Sequence, residues 1–167
     1  DMNTSVNIIS PPPHLISHCT EQLFIRKQAF STLQHIAVHN VSAVLYSERN
    51  VASLGDVLQL MNDGISVPDP VMKKTCTQFF CELIHQWGCQ NLVPATVSNA
   101  FIDFVYDVFV PGMLSCTLDP TFNVKDALNC RVLAEFSRAL WLLKLSRRGD
   151  AEFQCRVVDN LILRGDS

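Results

Sequence analysis

Apolar residues recur along most of this chain at intervals of three and four, the spacing that stacks side chains on one face of an α-helix. Six such stretches are legible. The first covers about residues 20–39, with Leu23, Phe30, Leu33, Ile36 and Ala37 on one face. The second covers about 51–65, with Val51, Leu54, Leu58 and Met61. Asp69-Pro70 opens the third: an aspartate accepts from the free amides at an N-cap, and proline is tolerated at the first helical position. Its stripe is Cys76, Phe79, Phe80, Leu83, Ile84 and Trp87, and Gly88 is the expected stop. The fourth covers about 98–116, with Phe101, Phe104, Val105, Val108 and Phe109; Pro111 removes a donor and should kink or break its end. Asn123 is the expected cap of a fifth helix, about 124–146, whose face is Leu128, Val132, Phe136, Ala139, Leu140 and Leu143. Gly149 reads as a stop and Asp150 as a new cap for a sixth, about 151–163, carrying Phe153, Val157 and Leu161. Alternating runs bounded by hairpin turns are missing, so the fold expected is all-α. Residues 1–19 are polar and contain Pro11-Pro12-Pro13, which predicts an extended lead-in to a helical region over 20–167.

Composition agrees with one folded unit. Apolar types make up 48% of the 167 residues and charged types 17%, which supplies a core and excludes disorder. Thirteen basic against sixteen acidic residues give a net charge of −3, so bulk charge gives no reason to expect nucleic acid or membrane as a partner. The seven cysteines form no C-x-x-C pair and fall mostly inside helical patterns, where a free thiol acts as a small hydrophobe; a reducing compartment is expected. No apolar run reaches 18 residues, so no membrane-spanning helix is expected. The first ten residues lack the basic and apolar regions of a signal peptide, and residue 1 is not methionine; the chain is expected to be a piece of something longer.

The first and third helices repeat at an offset of 47: Arg26-Lys27 falls on Lys73-Lys74, Ala29 on Cys76, Leu33 on Phe80, Ile36 on Leu83 and Ala37 on Ile84. The fifth repeats the pattern more loosely. Two helices per unit at a period of about 40–47 is the signature of HEAT arrays, in which an acid-proline turn precedes the second helix of each pair. The expected architecture is therefore a HEAT-type α-α superhelix. Its second, fourth and sixth helices form one layer, here called A; its first, third and fifth form the other, called B. The sixth helix would lack a B partner, leaving part of Phe153, Val157 and Leu161 exposed.

Asp69-Pro70-x-x-x-Lys74-Thr75-Cys76, Leu83 and Trp87-Gly88 are followed in order by Phe104-Val105-Tyr106, Val110-Pro111, Thr121-Phe122, Asp126-Ala127, Leu133, Glu135 and Arg148-Gly149. This series resembles the C-terminal region of exportin-T, the tRNA-exportin family of the importin-β (karyopherin) superfamily, over about residues 20–163. The resemblance implies a HEAT superhelix and a receptor that binds tRNA together with Ran in its GTP form. Such a receptor carries tRNA through the nuclear pore, whose proteins are further partners, and shuttles between nucleus and cytoplasm. The resemblance implies that Ran is engaged through an N-terminal part of the receptor, outside the region this chain resembles. The alternative is a protein-binding HEAT segment of another transport receptor or a scaffold.

The residues offer no enzyme. Cys81, His85 and Cys89 are spaced i, i+4, i+8, but a helix rises about 1.5 Å per residue, so the outer pair stands about 12 Å apart. Ligands at about 2.0–2.3 Å from one zinc ion do not span that, and no metal site or cofactor is expected. No nucleophile elbow, P-loop or H-E-x-x-H occurs, and the five histidines form no triad pattern, so no catalytic residue is assigned.

Charge placement is more informative. Arg26, Lys27, Lys73, Lys74, Lys125, Arg131, Arg138, Lys144, Arg147 and Arg148 fall on or at the ends of B helices, whereas Asp56, Asp63, Asp103, Asp107, Glu152 and Asp159 fall on A helices with Arg156 alone. B helices line the concave side of a HEAT superhelix, which would then suit a phosphate backbone read by shape. Equally, the B helices are longer and collect more charge. Lys27 and Lys74 occupy equivalent positions opposite the apolar stripe; Lys74, Gln78 and His85 form one row, Arg131 and Arg138 another. Arg131, Arg138, Trp141 and Arg148 share the face of the fifth helix opposite its core. Its indole would stack on a base or ribose, or else pack on a neighbouring repeat. Lys27, Lys74, Arg131, Arg138, Trp141 and Arg148 are thus the candidate tRNA-binding residues.

Overall fold

In the computed structural model, which describes residues 13–39 and 41–158 with side chains from residue 22 onward, every regular element is helical. α1 (Pro13–Val38) leads through short 3-10 turns to α2 (Leu54–Asp63). α3 (Pro70–Leu83) continues into a wide π-helical turn, Ile84–Cys89. α4 (Ala95–Thr117) contains another such turn at Val105–Phe109. α5 (Ala127–Leu145) is followed by α6 (Gly149–Phe153), which runs into a third wide turn at Gln154–Val158. The result is the expected all-α, HEAT-type array.

Local chemistry accounts for most boundaries. Asp69 accepts from Val71 N–H at 2.9 Å with Pro70 behind it, as its sequence predicts for an N-cap. The cap of α5 is Asp126, not Asn123: its carboxylate accepts from Leu128 and Asn129 N–H at 2.8 and 3.0 Å. Asn123 instead accepts from Lys125 N–H, a turn that competes with helix and delays its start. α1 begins at Pro13, so residues 13–19, expected as extended, are helical; proline fits the first turn, where its missing donor has no partner to lose. Asp150 does not cap α6; Arg148 occupies that position. Pro111 does not break α4. The π-helical turn ends just before it, and this wider spacing accommodates a ring that would otherwise clash with the preceding turn.

α1, α3 and α5 lie side by side as the B layer, with α3 in the middle. α4 runs antiparallel along α3, placing Phe101 against Trp87 (centroids 5.1 Å), Phe109 against Phe80 (4.4 Å) and Met113 against Thr77. Phe109 also meets Phe136 of α5, so aromatic rings join three helices in one core. Two glycines mark close approaches. A Cβ on Gly64 would stand 2.4 Å from Cys76 Sγ, and one on Gly88 would stand 3.0 Å from Ile102 Cδ1. Gly88 therefore works as a contact point inside the wide turn rather than as a stop.

The expected stripes fill the core except at their N-terminal ends. Leu23, Val51 and Leu128 are 49%, 47% and 40% exposed. Leu23 lies where its stripe runs on past the neighbouring helix: Lys27 of α1 is already level with the first residues of α3. At the other end Val157 is fully buried and Phe153 partly so, contrary to the expected exposure of α6. α6 packs against α5 and is tied to α4 by Arg148 and Arg156. Asp159, Leu161 and residues 1–12 lie outside the described residues.

α4 has the length and composition of a membrane-crossing helix, which the search for an unbroken apolar run did not anticipate. Its apolar face is the core just described, and Asp103 and Asp107 in its middle are ion-paired to Arg148 and Arg156, which flank α6.

Candidate nucleic-acid interface on the B layer

The side of α3 turned away from the A layer carries Lys74, Gln78, Glu82 and His85, all half-buried between α1 and α5. α5 meets it with Glu135 and Arg138. Gln78 donates to Glu135 at 2.6 Å, and Arg138 donates to Glu82 at 2.7 Å while lying 3.6 Å from Glu135. Burial is the largest single influence and works against the Arg138 cation, but the hydrogen bond to Glu82 and the charges of Glu82 and Glu135 together outweigh it and hold the group protonated above its ordinary range.

This cross-helix pairing changes the charge picture. Counting cations on the B helices overlooked Glu82 and Glu135, which share their face. A signal was present, since Glu135 stands three residues before Arg138, a spacing that faces on a helix. Lys27 is likewise paired, at 2.7 Å to Asp69, and that contact is the main reason the Asp69 carboxyl is held below its usual range. Lys74 and Arg131 have no ion-pair partner among the described residues.

The remaining two candidates separate. Trp141 is 59% exposed on the side of α5 with no neighbouring helix among the described residues. Arg148 does not continue its row. α5 ends at Leu145, Ser146 is extended, and the chain turns so that Arg148 reaches the A layer. There it bonds Asp103 at 2.6 Å and Glu152 at 2.7 Å. Arg156 joins the same cluster, bonding Asp103 at 2.9 Å, Glu152 at 3.1 Å and Asp107, with its guanidinium 4.9 Å from the Tyr106 ring centre. Asp103, Asp107 and Glu152 of the A layer are therefore compensated within this cluster. Among the described residues no group of three or more metal-ligating side chains converges.

What the arrangement offers chemically is two cations without an ion-pair partner, Lys74 and Arg131, at one end of a polar ladder, with an exposed indole past the other end. Such a surface fits phosphates spaced along a backbone. It has no convergent nucleophile or base.

No protein-family model matches the chain, and no solved structure matches it. Curated relatives do. Exportin-T of Danio rerio is 29% identical over 129 residues, covering 76% of this chain and 13% of its own length. Exportin-T of Homo sapiens is 28% identical over 133 residues, covering 78% and 13%. Exportin-T of Arabidopsis thaliana is 28% identical over 120 residues, covering 71% and 12%. The chain thus spans about an eighth of the length of the relatives it matches, and all eight matches carry the same name. Animal, plant and fungal proteins agree over most of its length, and the helical array is of the expected kind; the chain is similar to a segment of exportin-T.

Proposed function

We propose that this chain is a C-terminal segment of a nuclear export receptor that binds tRNA together with Ran in its GTP form and carries it from nucleus to cytoplasm. The family similarity is the observation that carries this reading, and the HEAT-type array agrees with it. The receptor works by binding and release rather than by chemistry of its own. Ran in its GTP form stabilises the cargo-bound shape, and by linkage tRNA and Ran favour each other's binding. Ran is engaged by parts of the receptor outside this chain, and pore proteins are its partners in transit.

Within this segment the B layer faces tRNA phosphates. Lys74 and Arg131 contribute most, because neither has a carboxylate to displace. Lys27 and Arg138 contribute less, since each must leave a partner. Arg148 is held by the A layer.

The test is a filter-binding titration of tRNA against the receptor across salt. Each lost phosphate contact to duplex lowers the slope of log affinity against log salt by about 0.9. Replacing Lys74 and Arg131 by alanine should flatten the slope by about two contacts' worth, for all tRNA species alike. Adding Lys27→Ala and Arg138→Ala should flatten it less than the first pair did. Ran binding without tRNA should not change. An unaltered slope would instead favour a protein-binding segment, a reading to which the exposed Trp141 and Leu145 lend support.

A further inference from the structure

One cysteine stands apart from the others. Cys76 and Cys81 are buried, and burial pushes both thiols up to about 12. Cys116, near the end of α4, is only half-buried and lines a cavity of about 490 Å³ together with Lys73, Asp119 and Phe122. The Lys73 ammonium donates to its sulfur at 3.1 Å, across the boundary between α3 and α4. Lys73 is fixed in place by the Phe122 ring, whose centre lies 5.7 Å from Nζ, and by the nearby charge of Asp119. Reactive cysteines sit in electropositive, partly exposed surroundings of this kind. Neither residue belongs to the B-layer surface described above.

We propose that Cys116 and Lys73 form a modification site at which hydrogen peroxide joins the two side chains through a sulfur–nitrogen bond. Peroxide transfers one oxygen to the thiol, giving a sulfenic acid and one water; sulfur is oxidised by two electrons and the peroxide is reduced. The Lys73 ammonium releases a proton to water in the cavity. The neutral amine then attacks the sulfenic sulfur, the S–N bond forms, the S–O bond breaks, and the departing hydroxide takes a proton from nitrogen and leaves as water. The reaction is the lysine counterpart of the condensation of sulfenic acids with backbone nitrogen. The link ties the start of α3 to the end of α4, the two helices whose packing forms the core. A small-molecule thiol reverses it by attack on sulfur, returning amine and disulfide and then free thiol.

The experiment uses the full chain, oxidised with hydrogen peroxide, alkylated, digested with trypsin without reduction, and read by mass spectrometry. The expected product is a linked pair of peptides containing Lys73 and Cys116. It is lighter than their sum by two hydrogens, uncut after Lys73, and lost on treatment with dithiothreitol. Lys73→Arg keeps the charge but should abolish the link and leave Cys116 as a sulfenic acid trapped by dimedone; Cys116→Ser should abolish both. The wild-type peptide is diagnostic by itself, so the test stands even where a variant fails to fold. Equal dimedone labelling of wild type and Lys73→Arg with no linked peptide overturns the proposal. So does oxidation of the exposed Cys130 and Cys155 while Cys116 remains a thiol, or a linked product that has gained an oxygen.

Discussion

Two of the seams between neighbouring repeats are built on different physics. Between α1 and α3 the seam is closed by Trp87, fully buried, whose indole N–H donates to Ser42 Oγ at 3.0 Å. Ser42 donates onward to Gln86 Oε1 at 2.6 Å, and Gln86 Nε2 donates to the Ala37 carbonyl at 2.6 Å. Every polar side-chain group in this chain of bonds has a partner. Between α4 and α6 the seam consists of Arg148 and Arg156 among Asp103, Asp107 and Glu152, at the protein surface. Buried hydrogen bonds gain strength from the low dielectric around them, and leaving one unmade is costly. Exposed ion pairs gain little each and are screened by salt. The first seam should therefore fix the repeat, whereas the second should hold α6 in a manner that depends on solution conditions.

The largest effect expected is Trp87→Ala, which removes the side chain at the centre of the first seam and leaves Ser42 without its donor. Urea unfolding should show a loss of about 3–5 kcal/mol. A loss below about 1 kcal/mol would mean the seam collapses freely and is not a unit.

Ser42→Ala leaves the shape intact but strands Trp87 N–H and Gln86 Oε1 in the core, at a cost of about 1–3 kcal/mol. This penalty should be the same in low and high salt. A penalty that shrinks on adding salt would place the bonds in contact with solvent.

At the second seam, Arg156→Gln should cost less, about 0.2–1 kcal/mol for each exposed pair removed. It should raise amide exchange in α6 while leaving α3 protected. About 1 M salt, where the Debye length is about 3 Å, should reproduce much of this in the unaltered chain. Equal protection of α6 in the variant and wild type would shift the credit to Val157 and Phe153.

The smallest effect concerns pH. The Arg148 hydrogen bond holds the Asp103 carboxyl below its ordinary value of 3.8, with Arg156 adding to it. A carboxyl whose folded value is depressed contributes stability that is present above the unfolded value and lost as pH falls through the folded one. Exchange in α6 should thus rise below about pH 4 before that around Trp87 does, and Asp103→Asn should remove the difference. Simultaneous loss of both seams would show that acid acts elsewhere.

The helices, their pairing into two layers and the cap at Asp69 were legible in the sequence, because periodicity and capping are local: they depend on residues within one or two turns. The destination of each side chain beyond its own helix was decided by tertiary structure. Leu23 and Val157 illustrate it. Both sit on correctly read stripes, yet one runs past its neighbour into solvent and the other is buried. Arg148 was extrapolated along α5, but the chain turns at Ser146 and delivers it to Asp103, 45 positions away. Arg138 shares a row with Arg131 on α5, but Glu82, 56 positions away, pairs with it. A pattern of one residue in 3.6 fixes which face of a helix is apolar. It carries no information on how far the next helix extends along that face, or which charges that helix brings to meet it.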